Sequence, residues 1–400
     1  MSAAWPIHAL GDVCEFQRGL TYAKSDEVDV SDNVVLRATN IDLATNLLDF
    51  SELKYINENV EVPESKKVRK NSLLICTASG SKSHLGKVAF IDDDYDYAFG
   101  GFMGMITPKP GVNPKYLFHR MTSDAYKDFV GGLSDGANIN NLKFDDLRRF
   151  TVPLAPVPEQ QRIVGILDEA FDGIATAKAN AEKNLQNARA LFECHLQAKM
   201  MDGRWPRKML GELCNKVEYG SSAKSASAGI VPVLRMGNIQ DGQLDWENLV
   251  YSNDQAEIDK YLLRHNDVLF NRTNSPELVG KAAIYKSEMP AIFAGYLIRI
   301  HRKEDLLDAD YLTYFLNSKD ALDYGKTVMI SSVNQANING AKLKEYPLPA
   351  PTLAEQREIV ASLDQVSAET QRLESLYQQK LAALDELKKS LLHQAFSGAL

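Results

Sequence analysis

Two stretches of the chain place apolar or small residues at alternating steps of four and three. The first runs Ile163, Leu167, Ala170, Ile174, Ala177, Ala181. The second runs Ile359, Leu363, Val366, Thr370, Leu373, Tyr377, then shifts phase to Leu381, Leu384, Leu387 and Leu391. That spacing is a heptad seam and predicts two long helices. The second helix opens on Thr352-Leu353-Ala354-Glu355, where a hydroxyl and a carboxylate can each satisfy a free amide of the first turn. The first opens on Pro158, at the N1 position where a missing N–H costs nothing. One seam is alanine-rich and the other leucine-rich, so the two can pack small against large. Ordinary amphipathic helices, each lying on its own domain, are the alternative. A helix of roughly 40 residues, at about 1.5 Å each, outruns a domain of ordinary size. Gly165 and Gly173 are weak points in the first helix.

Ahead of each helix the pattern is mixed. Short apolar runs predict strands at residues 72–75, 87–91, 267–270 and 291–300, and helical spacing predicts helices over 114–129 and 308–324. Each mixed region ends in a proline-punctuated segment, residues 152–158 and 346–351, which should be an extended, stiff boundary.

The whole plan occurs twice. Trp5-Pro6, Leu10-Gly11 and Cys14 return as Trp205-Pro206, Leu210-Gly211 and Cys214. Leu36-Arg37 and Asn40-Ile41 return as Leu234-Arg235 and Asn238-Ile239, and Gly86-Lys87 as Gly280-Lys281. Ala137-Asn138-Ile139-Asn140 matches Ala336-Asn337-Ile338-Asn339, and Glu159-Gln160 matches Glu355-Gln356. The offset stays between 194 and 200 throughout, the mark of a tandem duplication. Four segments follow: a domain at 1–155, a helix at 156–204, a domain at 205–350 and a helix at 351–400. A compact domain keeps its termini close, so the helices should run antiparallel. The expected fold is two mixed α/β domains in tandem, joined by two long antiparallel helices in a coiled coil, related by a pseudo-twofold axis and held at opposite ends of a rod.

Composition narrows the class. Four hundred residues with 44% hydrophobic and 24% charged side chains describe an ordinary globular chain of two to three domains. No apolar run reaches the length of a membrane span, and the first residues show no export signal. Cys14, Cys76, Cys194 and Cys214 lie far apart, which points to a reducing cytoplasm and away from a disulfide scaffold or cysteine zinc site. The net charge of −8 argues against a histone-like binder, yet allows a DNA reader with its basic groups on one face.

Catalytic patterns are absent from the letters. Residues 80–87 resemble a phosphate loop but hold five residues between the glycines and Val88 after the lysine. Asp92, Asp94 and Asp96 begin like a calcium loop without its glycine and closing glutamate. The seven histidines show no metal spacing, so no metal site and no catalytic residue is expected. What remains is one polar loop in each half, with matching flanks and different contents. In the first half it supplies Thr77, Ser79, Ser81, Lys82, Ser83 and His84 before Lys87; in the second, Asn271, Arg272, Thr273, Asn274 and Ser275 before Lys281. Hydroxyls, amides, Lys and Arg are the groups that read base edges and grip phosphates. Arg37 with Asn40, and Arg235 with Asn238, are weaker candidates that could equally hold the scaffold.

The tandem plan, the Leu-Arg-x-x-Asn-Ile strand, the Gly-Lys after each polar loop, the proline hinge followed by Glu-Gln, and the closing Lys389-Ser390-Leu391-Leu392-His393-Gln394-Ala395-Phe396-Ser397-Gly398 resemble the specificity subunits of type I restriction–modification systems. The resemblance spans essentially the full chain. It implies a non-catalytic subunit whose two target recognition domains bind separate halves of a bipartite, asymmetric site on double-stranded DNA, with the paired helices as a ruler. It implies two methyltransferase subunits and two restriction subunits as partners, with S-adenosylmethionine, ATP and Mg on those partners, none on this chain, and no membrane. A subunit serving a methylation-only complex and a coiled-coil adaptor that ignores DNA are the alternatives.

Overall fold

A computed structural model describes residues 5–81, 84–134, 141–240, 242–332 and 335–400. The chain divides into two compact units, residues 1–181 with 379–400, and residues 182–378. These units cut across the four segments read from the sequence, because each long helix is shared between them.

In the first unit, a four-stranded antiparallel sheet runs Cys14–Arg18, Met103–Pro108, Ser72–Cys76, Val88–Ile91. A second sheet runs Glu27–Val28, Lys54–Ile56, Asn33–Leu36, Tyr97–Phe99, its last pair parallel. The second unit repeats both. Cys214–Tyr219, Leu297–Arg302, Asp267–Asn271 and Ala282–Tyr285 form one sheet. Val250–Ser252, Val231–Leu234 and Ile292–Phe293 form the other, again with a parallel last pair. Central strands such as Ser72–Cys76 are buried along their whole length, which is why they read as unbroken apolar runs.

Several sequence expectations shift. The run 291–300 is two strands in different sheets, separated by a tight turn at Ala294-Gly295-Tyr296. Each predicted short helix is two: Pro114–Thr122 with Asp124–Ser134, and Ala309–Leu316 with Lys319–Val328. The breaks fall at Ser123 and Ser318, whose hydroxyls donate to the carbonyls of Arg120 (2.7 Å) and Phe315 (2.6 Å) and so end the preceding turn. The proline segments are sheet strands as well as boundaries, since Thr151–Pro153 pairs with Ile7–Ala9 and Pro347–Pro349 with Arg207–Met209.

The long helices span Val157–Met200 and Leu353–Ser397. Thr352 and Glu355 form the reciprocal cap at the start of the second, with the Thr352 amide donating to the Glu355 carboxylate at 2.8 Å. Within each unit the helices run antiparallel. In the first, Arg162 donates to the Leu400 carbonyl (2.7 Å) and Lys178 pairs with Asp385; in the second, Arg189 pairs with Glu374 (2.7 Å) and His195 meets Ser362 (3.1 Å).

The seam is divided by function along its length. Ile163 and Leu167 join Leu392, Ala395 and Phe396 in the core beneath the first mixed domain, with Leu391 packed against it; Ile359 and Leu363 join Leu196 and Met200 beneath the second. Ile174 and Ala181 are buried further along, while Ala170, Ala177, Val366, Leu373 and Leu384 are half-buried. Leu387 is a correction: it is 47% exposed, because after the phase shift Leu391, Leu392 and Ala395 face inward instead.

The repeated Glu-Gln has a clear task. The Gln160 amide accepts from the Asn113 N–H (2.7 Å) and donates to the carbonyls of Gly111 (3.0 Å) and Ala155 (2.8 Å). Gln356 does the same with Asp308 (2.8 Å), Leu306 (2.8 Å) and Pro351 (3.0 Å). Each glutamine thus ties the first turn of a long helix to the loop before a domain helix.

Candidate nucleic-acid interface

Each polar loop grows from the end of a central strand and is closed in the same way. In the first unit the Gly86 N–H donates to the Cys76 carbonyl (2.8 Å) and the Cys76 N–H to the Lys87 carbonyl (2.9 Å). In the second the Gly280 N–H donates to the Asn271 carbonyl (2.9 Å) and the Asn271 N–H to the Lys281 carbonyl (2.8 Å). Gly86 and Gly280 have φ of +77° and +95°, left-handed conformations that strain any side chain, so the repeated glycine closes the loop.

The loop roots match too. The Thr77 and Arg272 amides donate to the Phe102 and Tyr296 carbonyls (2.9 and 3.0 Å), and their own carbonyls accept from Leu142 and Ile338 (2.7 and 2.8 Å). Leu142 is therefore the counterpart of Ile338, an offset of 196. The letter match of Ala137-Asn138-Ile139-Asn140 runs three residues out of this register, and those four residues lie outside the described ones.

Many predicted contact residues turn inward. Thr77 is buried and its hydroxyl donates to the Phe102 carbonyl at 2.9 Å. Lys87 is buried with Nζ donating to the Ile41 carbonyl at 2.7 Å, and burial pushes its ammonium below the usual lysine range against weaker pulls from Cys76 and Asp42. Asn271 is buried and reaches the Leu278 carbonyl; the buried Thr273 hydroxyl accepts from Asn337 at 2.7 Å. Asn40 and Asn238 are buried and make the same three bonds. Each accepts from the preceding arginine's N–H (2.8 and 2.9 Å) and spends both amide hydrogens on carbonyls, of Asp49 and Glu52 or of Asp245 and Glu247. These six residues hold the scaffold, because a buried donor needs a partner within the protein.

The remaining candidates among the described residues keep part of their surface open to solvent. Ser79 accepts from the Ser81 N–H (3.2 Å), and Ser81 and His84 continue the first loop; Lys82 and Ser83 lie outside the described residues. In the second loop Asn274, Ser275 and Lys281 are half-exposed. Arg272 donates to the Gly295 carbonyl (3.2 Å) and Asn337 Oδ1 (3.3 Å), with its guanidinium 4.9 Å from the Tyr219 ring centre. Arg235 donates to the Asn248 carbonyl (2.8 Å), and Arg37 is its half-exposed counterpart. Arg272, Asn274 and Ser275 thus belong to one loop, whereas Arg37 and Arg235 each follow the last residue of a strand of the second sheet in their own unit.

Sequence reasoning passed over two residues beside the loops. Phe102 is 73% exposed and Tyr296 is 47% exposed, each at the apex of the turn whose carbonyl holds a loop root. The signal was a Gly-aromatic pair, Gly101-Phe102 and Gly295-Tyr296, at an offset of 194. Among the described residues no group of three His, Cys, Asp or Glu side chains could hold a metal ion, and no helix is long and apolar enough to cross a membrane.

Comparison with known proteins accounts for the doubled plan. The family model of the type I restriction modification DNA specificity domain matches residues 3–186 and again 203–382. The StySPI type I specificity subunit of Salmonella potsdam is 28% identical over 99% of this chain and 89% of its own. The EcoKI specificity subunit of Escherichia coli K12 is 27% identical over the same shares. A chain from a structure of type I restriction–modification complex assembly superposes with a TM-score of 0.81 at 20% identity, covering 99% of this chain and 98% of that one. The HsdS subunit of Thermoanaerobacter tengcongensis shares the fold at a TM-score of 0.61 and 19% identity, over 100% and 98% of the two chains. With the family domain present twice, in register with the two halves of the duplication, the chain belongs to the type I restriction–modification DNA specificity family.

Proposed function

We propose that this chain is the sequence-reading subunit of a type I restriction–modification complex, each unit reading one half of a bipartite site on double-stranded DNA. The observation that carries the reading is the set of four closing backbone bonds that the two loops share, set against the difference in what they present. One offers small hydroxyls and a histidine, the other an arginine, an asparagine and a serine. Two readers of unlike sequences need a common frame with unlike tips, since base edges are distinguished by donor and acceptor pattern. In this reading the chain performs no chemistry. Two methyltransferase subunits and two restriction subunits dock on it in the cytoplasm and bring S-adenosylmethionine, ATP and Mg.

The test is co-expression of the full chain with its methyltransferase subunits, followed by a genome-wide map of methylated adenines. A two-part motif is expected. Exchanging residues 1–150 for those of a relative should change one half of the motif and leave the other; a change in both halves or in neither would overturn the modular reading. Arg272→Ala should relax only the half read by the second unit, by a factor of about 5 to 150 in preference at one base pair.

A further inference from the structure

We propose that Phe102 and Tyr296 are the aromatic DNA contacts of their two units, laying a ring against the bases beside each polar loop; this rests on the function proposed above. Both rings crown the same rigid turn. The Phe102 carbonyl accepts from the Thr77 N–H, the Ala78 N–H and the Thr77 hydroxyl (2.9, 3.1 and 2.9 Å), so the apex and the loop root share one cluster of bonds. The Tyr296 carbonyl accepts from the Arg272 N–H, and the Arg272 guanidinium braces the neighbouring Gly295 carbonyl. The turns themselves are closed by Met103 N–H to Gly100 and Leu297 N–H to Ala294 (2.8 and 2.9 Å).

A second strand end presses on each turn from behind. A Cβ at Gly19 would lie 2.0 Å from the Gly100 carbonyl oxygen, and one at Gly220 would lie 2.3 Å from the Phe293 carbonyl oxygen. Only glycine permits that approach, and it leaves the apex without slack. A ring held this way has lost most of its backbone freedom before any ligand arrives, so contact costs little further ordering. Both rings are open to solvent, Phe102 at 73% and Tyr296 at 47% exposure.

The division between constant apex and variable loop fits DNA in particular. A ring that wedges into a base step meets a flat apolar face whichever bases form it, so an aromatic contact tolerates sequence, whereas polar atoms discriminate base edges. Duplication would then preserve the ring and diversify the loop, as seen here. Because the apex and loop root are joined by hydrogen bonds, a duplex that meets the loop tip also meets the ring.

The test uses the full chain purified with its methyltransferase subunits and a duplex bearing the motif from its methylation map. Phe102→Ala and Tyr296→Ala should each weaken binding by about tenfold, with the losses multiplying in the double variant. The slope of log affinity against log salt should stay unchanged, because no phosphate contact is removed. Phe102→Tyr and Tyr296→Phe should bind like the parent, and melting temperatures should not move. Unchanged affinity in both alanine variants would overturn the proposal. So would loss of the methyltransferase subunits on purification, which would make the rings protein contacts. If the parent complex yields no bipartite motif, the proposed function itself fails, a result distinct from either.

Discussion

Arg299→Met should lower the stability of the second unit by about 2–3 kcal/mol, the cost of leaving two half-buried carboxylates and the Leu262 carbonyl without their partner. Adding Glu218→Gln and Asp267→Ser should recover most of the loss. Arg299 is the hub of the second unit's main sheet, with its side chain 8% exposed. It donates through Nε and Nη2 to Glu218 (3.0 and 2.5 Å), and through Nη1 to Asp267 (3.0 Å) and the Leu262 carbonyl (2.8 Å). His301 also reaches Glu218, at 2.8 Å.

The first unit shows that the sheet can be built without this cluster. Strand register places Gln17 opposite Met105 where the second unit has Glu218 opposite Arg299. Ser72 stands for Asp267, and its hydroxyl meets Thr107, the counterpart of His301, at 2.9 Å. The triple variant therefore installs the three neutral residues that the first unit carries at these positions, with His301 kept. Hydrogen exchange of the strand Asp267–Asn271 in the full chain reads both steps. An equal loss in single and triple variants would show that the charges stabilise by more than mutual neutralisation.

The same cluster sets an acid limit. Burial raises the Glu218 carboxyl, but hydrogen bonds from Arg299 and His301 outweigh it and hold the group at about 2, against 4.5 unperturbed. A folded value below the unfolded one gives stability that is present above pH 4.5 and lost as pH falls toward 2. Roughly 3 kcal/mol should disappear across that window in the parent and be missing from the acid limb of Glu218→Gln.

Gln356→Leu should cost the second unit at least about 3 kcal/mol, and Gln160→Leu the first unit a similar amount. The volumes are close, so the loss is not one of packing. Leucine strands one N–H and two carbonyls that the amide had satisfied, at about 1–3 kcal/mol each. Gln160 and Gln356 are 0% and 1% exposed, so water has no ready access to the vacated groups. Glutamate should be worse, since it buries an unpaired negative charge against the two carbonyl oxygens. Because each glutamine anchors the first helical turn, protease cleavage should quicken near residues 155–160 or 351–356 in the matching variant. Gln161→Leu, at an exposed neighbour, should change stability by no more than about 0.5 kcal/mol. Equal effects at Gln160 and Gln161 would remove the clamp from the account.

The comparison of these residues explains how much could be read in advance. The Glu-Gln repeat was visible as letters, yet its purpose was not, because the partners of Gln160 lie 47 and 49 residues away as well as close by. Lys87 looked like a surface cation beside a polar loop, and its partner carbonyl at Ile41 is 46 residues distant. Repetition marks Asn40 and Asn238 in the letters and leaves two roles open, contact or scaffold; their burial and their carbonyl partners select the scaffold. Leu387 fitted the heptad letters but not the face that a phase-shifted helix turns inward.

Local periodicity and duplication thus belonged to the linear chain: the two long helices, the Thr352 cap, the central strands, the doubled plan and the position of each polar loop. These depend on residues a few places apart, or on order alone, and so survive in one dimension. Which polar side chains of a loop face solvent, where the strand 291–300 breaks, how the helix halves divide between the units, and that Phe102 and Tyr296 crown the loops were settled by folding. A polar group turns inward only when the tertiary fold brings it a carbonyl or amide from a distant segment, and no spacing rule along the chain encodes that meeting.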